Sequence, residues 1–497
     1  MVTDMTRFLT STACLISLAA CGGGSGTPAP PPPPANNAPT ITSAATAQVA
    51  ENDQINYQAQ ANDADGDAVT LSISGGADAS LFSMDAAGNL RFNSPPDFEL
   101  PTDANRDNVY RVNIAANDGQ ASGTLNLSIT VTNDREGIAV RRIATGFDEP
   151  TFAELIPGSS ELFVTERGGR IFRLDPSSGQ RTLYRTVTNI STAGEGGLLG
   201  IAADPGFSTN DTVHVFVVDQ GGSINIRSLF GTGSDFETKM TIAHPNFTNH
   251  YGGWIDFGPD DYLYISTGDG GGSGDPDDNA QDPNSLLGKI LRIEVVPCAT
   301  CGASVQPIYR IPPDNPFASG GGRGEIYALG LRNPFRASFL DDDILVGDVG
   351  QDSFEEVNRF STDDDGGINF GWPFREGSAS FRGTPPDDLA DPVTEYPNGD
   401  GPREGASVIG GVVYDGAIAD LFGKYIFADF VSGNIWSVPI GSLDDDMILP
   451  SSEYERRNAD FEPDAGSIDQ IVALVRSDAG DVYIVDFDGD IFVVEPA

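Results

Sequence analysis

From residue 138 onward, short apolar runs return between glycine and aspartate turns: ELFVTERGGRIFRL from Glu161, DTVHVFVVD from Asp211, DYLYISTGD from Asp261, DDILVGDVG from Asp342, GKYIFADFVSGNIWSV from Gly423 and GDVYIVDFDGDIFVV from Gly480. The runs are short, rich in Val, Ile, Tyr and Phe, and free of long helical periodicity, so they read as strands. A paired strand motif recurring at intervals of tens of residues predicts a β-propeller over 138–497, whose radial repetition leaves only short, protected edges. Six blades would take about sixty residues each. Tyr262 to Thr267 alternates large apolar and smaller residues and is expected to be a strand joining two loops at one end of a sheet. A second pattern precedes the first: alternating runs at Asn56 to Ala61, Val69 to Ile73, Val109 to Ala115 and Leu125 to Thr132, separated by acidic turns, predict a β-sandwich over 38–134. The expected fold class is all-β, a sandwich followed by a six-bladed propeller.

Composition agrees with many short strands and turns, since 59 of the 497 residues are Gly, 34 are Pro and only 39% are apolar. The formal net charge of −45 argues against nucleic-acid partners and anionic membrane surfaces and favours cations, although a solubilising surface accounts for most of such an excess. The first twenty residues carry Arg7 and the apolar run Phe8 to Ala20, too short to remain as a bilayer span, and end in Leu18-Ala19-Ala20-Cys21. This segment resembles a bacterial lipoprotein signal peptide. It implies lipidation of Cys21, a Gly/Ser/Pro-rich tether over 21–37 and a lipid-anchored place in the cell envelope, periplasmic or at the cell surface. Gly22 after Cys21 resembles outer-membrane sorting. The other cysteines, beyond Cys14 in the leader, are Cys298 and Cys301, which read as a local disulfide or an idle pair because no further ligands for zinc lie nearby.

Candidate chemistry concentrates in NHYGGWIDFGPDDYLYISTGD, residues 249–269, which places one of only three histidines in a glycine-rich loop before a strand and an aspartate in the loop after it. His250 and Asp269 are expected to meet. An imidazole oriented by a carboxylate is the minimal equipment for abstracting a hydroxyl proton near neutral pH, whereas a lone loop histidine would be structural. Carboxylates also gather at turns of the first unit, in Glu51-Asn52, Asp63 to Asp67, Asp97 to Glu99, Asn117-Asp118 and Asn133-Asp134, an oxygen-only set that suits calcium. The bland reading is that these acids cap turns.

Two resemblances sharpen these expectations. The segment 38–134, with AEN, DADGD, PDFE, ANDG and a closing VTND, resembles a bacterial cadherin-like repeat, which implies calcium ligands at Glu51, Asp97, Glu99, Asp118 and Asp134. The segment 138–497 resembles the glucose/sorbosone dehydrogenase family through GEGGLLGIAADPGF, the 249–269 block, LGKILRIEV, EIYALGLRNPFR, GDVGQDSFEEVN, NFGWP and GGVVYDG followed by LFGKYIFADFVSGNIW. That resemblance implies a site at the mouth of the central channel, pyrroloquinoline quinone (PQQ) as oxidant and calcium beside it. It implies His250 as catalytic base, Asp269 as its orienting carboxylate, Arg332 and Asn333 at the cofactor, and Glu195 and Asn249 at the sugar. Gly350 and Gln351 would hold calcium by their carbonyls, and Glu356 a neighbouring calcium.

The family answers the cofactor's carboxylates with Lys or Arg in a Tyr-Lys/Arg-Gly turn and with further arginines near the last cofactor-facing strand. Here the turn is Tyr414-Asp415-Gly416, and Phe430 to Ser437 holds no basic residue, so Asp415 is expected to repel the cofactor unless a cation bridges them. The implied activity is oxidation of an aldose's anomeric hydroxyl to the lactone, with electrons passed to an unidentified acceptor. The competing expectation is a calcium-dependent adhesion or carbohydrate-binding lipoprotein, since hedgehog-interacting proteins resemble the same propellers and bind protein with them.

Overall fold

The computed structural model describes residues 34–296, 308–444 and 447–497, so the leader, Cys21, Cys298 and Cys301 lie outside the described residues. In the first unit, strands Thr46–Ala50, Ser122–Thr132, Val109–Asn117 and Thr70–Gly75 form one sheet, and Tyr57–Gln58, Asn89–Phe92 and Phe82–Met84 form another. Alternation does its work here. Tyr110, Val112 and Ile114 point inward from one strand and meet Phe82, Leu90 and Phe92 from the facing sheet, burying one face of each. The expected run from Asn56 to Ala61 is broken into two short pieces, Tyr57–Gln58 and Ala61–Asn62, which pair with different partners.

Six sheets then follow one another, antiparallel except for one outer parallel pair in the third and one in the fourth. Their innermost strands are Pro150–Leu155, Leu198–Ala203, Ile255–Phe257, Pro334–Leu340, Val408–Val413 and Ile471–Arg476, and neighbouring sheets pack through them until the sixth meets the first. Strands such as Leu162–Glu166, Thr212–Val218 and Leu263–Thr267 are buried at every residue. The expected alternation of Tyr262 to Thr267 is therefore not a half-exposed face, because each blade is covered on both sides by its neighbours. Aromatic rings pack within and between blades: Tyr264 meets Tyr327 of its own sheet and Phe339 of the next edge-on at 5.6 and 5.4 Å, and Trp254 lies 5.5 Å from Phe339.

The sixth sheet closes the ring with strands from both ends of the unit. Ile138–Ala144 pairs with Ile491–Pro496, and Arg141 grips Glu495 through two bonds of 2.8 and 2.9 Å. The sandwich is fastened to the ring by the last strand of the fifth sheet and the segment that follows it. Asn133 Nδ2 donates to Asp460 at 2.5 Å, Arg135 donates to the carbonyls of Asp460 and Glu462, and the Arg456 N–H donates to the Glu99 carbonyl at 3.0 Å.

Four blades repeat one local device. A carboxylate ending the second strand accepts hydrogen bonds from the loop that enters the innermost strand: Glu166 from Asp148, Asp348 from Arg332 and Asn333, Asp429 from Ala406 and Ser407, and Asp486 from Asp469 and Gln470. Each clamp aims its loop at one mouth of the channel. Burial pushes the Asp348 carboxyl up to about 7 even though those N–H bonds favour its charge.

Candidate active site

In the third blade the same position does something else. Asp269, two residues past Leu263–Thr267, meets the ring of His250 in that loop rather than the loop's backbone: Nδ1 lies 2.8 Å from Oδ1. Glycine makes the approach possible, since a Cβ on Gly268 would stand 2.1 Å from the His250 carbonyl oxygen. Asp269 is itself held by the Trp372 indole N–H at 2.9 Å and the Gly271 N–H at 2.9 Å. His250 takes a left-handed backbone at φ 57°, and its N–H donates to Glu195 Oε2 at 2.7 Å. With Nδ1–H committed to the carboxylate, the tautomer leaves a lone pair on Nε2, which no protein group bonds among the described residues.

His250 lines a cavity of about 490 Å³ at the channel mouth. One side is polar: Glu195, His250, Arg332, Asn333 and Gln351. The other is apolar, with Ile409, Phe430, Val431, Val472 and Phe487. Arg332 donates to the Val349 carbonyl at 2.8 Å and lies 5.6 Å over the Trp372 ring, while its Nε is buried without a partner. Asn333 accepts from the Gly252 N–H at 2.9 Å, which fixes the loop carrying His250. Arg167 donates to the carbonyls of Thr192, Gly194 and Gly196 and so shapes the loop that presents Glu195. Gly350 and Gln351 stand on the cavity wall; their N–H groups are taken by Glu355 at 3.2 Å and Glu376 at 2.7 Å, and neither carbonyl accepts a hydrogen bond among the described residues.

Two expected positions, Asn249 and Asp415, need correction. Asn249 does not line the cavity; its Oδ1 faces the Gly272 N–H at 3.4 Å. Glu356, expected at a neighbouring calcium rather than at the cavity, is buried outside the lining and accepts from the Gly377 N–H at 2.5 Å. Asp415 follows the far end of Val408–Val413, outside the cavity lining, and pairs with Arg476 at 3.2 Å. The repulsion expected of it does not arise. The absence of basic residues from Phe430 onward does matter, since Phe430 and Val431 form the apolar wall.

Sequence reasoning missed Trp372 and Arg336, although both lie in quoted blocks. Nothing in a single sequence says that an indole 103 positions away holds Asp269.

In the sandwich, Glu51, Asp97 and Glu99 bring carboxylate oxygens within 4.8 Å of one another. Asp134 adjoins them through its N–H, 2.8 Å from Glu51. Asp118 does not join them; it caps the turn at the opposite end of the Val109–Asn117 strand, accepting from Gln120 and Ala121. Burial pushes Glu99 well above the usual carboxylate range, and the neighbouring Asp460 and Glu51 push it further.

Residues 147–447 match the family described as glucose/sorbosone dehydrogenase. The chain belongs to this family. It is 37% identical over 246 residues to the HIPL2 protein of Arabidopsis thaliana, covering 45% of this chain and 34% of that one. It is 25% identical over 249 residues to the aldose sugar dehydrogenase YliI of Escherichia coli, covering 48% and 62%. The chain thus spans about a third of the length of the plant relatives it matches. Among solved structures, the PQQ-bound aldose sugar dehydrogenase of Streptomyces coelicolor shares the fold at a TM-score of 0.54 and 24% identity, covering 72% of this chain and 98% of that one.

Proposed function

We propose that this member of the glucose/sorbosone dehydrogenase family oxidises the anomeric hydroxyl of an aldose to the lactone, with PQQ as oxidant and calcium beside it. The observation that carries the reading is the His250–Asp269 pair, fixed by Trp372 and opening Nε2 onto a cavity that also holds Arg332. The residues fit such a group: the buried, unpartnered Nε of Arg332 offers a donor to a quinone oxygen or carboxylate, and the Gly350 and Gln351 carbonyls offer hard oxygen ligands to calcium. When bound, the quinone supplies the two-electron acceptor for hydride from the sugar. His250 Nε2 would take the hydroxyl proton, Asp269 would hold the ring in the tautomer that can accept it, and Glu195 would accept from sugar hydroxyls. Electrons would pass to an acceptor still to be identified. Cys21 would tether the protein in the cell envelope.

Calorimetric titration of the calcium-loaded protein with PQQ, paired with dye-linked oxidation of a panel of aldoses, tests the reading. Saturable binding together with sugar-dependent dye reduction is expected. No binding would move the propeller to the second reading, calcium-dependent carbohydrate binding or adhesion, which the apolar wall of Phe430 and Val431 favours.

We also infer that Glu51, Asp97 and Glu99 hold calcium where the sandwich meets the ring. Because the folded-state pKa of Glu99 is raised, the folded protein keeps a proton that the unfolded chain releases above its ordinary carboxyl pKa of about 4.3. Stability in chelator is therefore expected to fall as pH rises from 5 to 8, and calcium should raise the melting temperature more at pH 8 than at pH 5. An equal calcium gain at both pH values would remove Glu99 from the site.

A further inference from the structure

Arg336 is a buried cation that no carboxylate answers among the described residues. It sits on Pro334–Leu340 in the fourth blade and reaches across the channel, where Nη2 donates to the Thr151 carbonyl of the first blade at 2.7 Å and Nε to the Val472 carbonyl of the sixth at 3.2 Å. Nη1 donates to the Phe335 carbonyl at 3.0 Å. A guanidinium has five N–H donors, so these three bonds leave two unspent. The other fully enclosed arginines differ. Arg292 and Arg457 pair with carboxylates. Arg185 and Arg227 end on carbonyls, but Asp235 and Asp219 bear on their charges, and neither lines the cavity. For Arg336 burial is the only influence on its pKa, and it forms part of the cavity lining.

Three carbonyls and the rings of Phe335 and Phe152, at 4.1 and 5.2 Å, answer this buried charge in part, and an anion at its open donors would complete it. We propose that Arg336 is the anion-receiving floor of the cavity, seating a carboxylate of the bound ligand on its unspent N–H bonds. The placement explains how a cavity walled by Phe430, Val431 and Phe487, with Asp415 at the far end of its blade, accepts a polycarboxylate: the positive charge is supplied from beneath by Arg336 and from the side by Arg332. As applied to PQQ, this rests on the function proposed above. The carboxylate chemistry itself can be probed apart from it.

The test compares calorimetric binding of PQQ with that of its trimethyl ester, and adds benzene-1,2,4-tricarboxylate as a planar anion with no redox chemistry. A charge-assisted contact of this kind predicts that wild type prefers the triacid over the triester by about ten- to a hundred-fold. Arg336→Gln is expected to lose that preference, a ratio that a general loosening of the fold would leave in place. Val472→Glu, which keeps the guanidinium but offers it an internal carboxylate, should lose the preference too. Equal binding of acid and ester by wild type overturns the proposal even if neither variant folds. So does a preference that survives in Arg336→Gln. Should wild type bind benzenetricarboxylate in an Arg336-dependent way but not PQQ, the anion floor stands and the quinone reading falls.

Discussion

Replacing His250 with alanine is expected to lower dye-linked aldose oxidation by about a hundred- to ten-thousand-fold, the usual contribution of a positioned general base. PQQ binding and thermal stability should change little. The ring touches the protein through one side-chain bond, and its removal leaves Asp269 still bonded to Trp372 and Gly271. Asp269→Asn should be milder, since the amide oxygen can still accept from Nδ1 while the charge that favours the imidazolium is gone. Wild-type turnover in His250→Ala, at matched cofactor occupancy, would take the histidine out of the chemistry.

The largest stability loss is expected at Arg457. Its side chain is 1% exposed and bonds Glu136, Glu455, Asp460 and the Ser437 hydroxyl, with Asp420 also in salt-bridge range. Burial alone would lower its pKa, but Glu455, Asp420 and Asp460 more than reverse that and hold it charged. Arg457→Ala would leave those acids facing one another in a site that has lost its only internal cation apart from Lys424 at the edge. A loss of about 3–5 kcal/mol is expected, read from the urea-unfolding midpoint. Arg111→Ala is the control, because its pair with Asp107 is exposed on both sides and should change stability by no more than about 1 kcal/mol. A loss at Arg457 no larger than at Arg111 would show that the network is held up by its surroundings instead.

The fold was readable because a propeller writes its repeat into the chain: turn, apolar run, turn, at a spacing that survives whatever the loops contain. His250 and Asp269 were readable for a related reason, as they flank the hairpin of Ile255–Phe257 and Leu263–Thr267, whose antiparallel pairing brings its two ends together. Asp415 was misplaced because a motif gives a position along the chain but not which end of a strand it occupies, and here the innermost strand carries it to the far mouth. Asn249 was misplaced because adjacency in a motif does not fix where a side chain points: its Oδ1 faces the Gly272 N–H while His250 lines the cavity. Arg336 and Trp372 were invisible for a different reason. Thr151 and Val472 reach Arg336 from other blades, and Trp372 reaches Asp269 only because the chain returns after the fourth blade to add Ile368–Asn369 to the third.

The seam between Ile138–Ala144 and Ile491–Pro496 has a consequence for how the molecule is made. Arg141 and Glu495 are 354 residues apart in sequence, so the first strand of the ring to leave the ribosome must wait for the last before it has a partner. The sandwich needs nothing from beyond residue 134 for its own core and can collapse early, while Ile138–Ala144 hangs beneath it as an open edge. Closure of so long a loop is slow, and an unpaired apolar edge invites other chains during the delay. Synthesis rate and chaperone supply should therefore govern yield more than native stability does, and a chain stopped short of Ile491 should accumulate as aggregate with a folded sandwich attached.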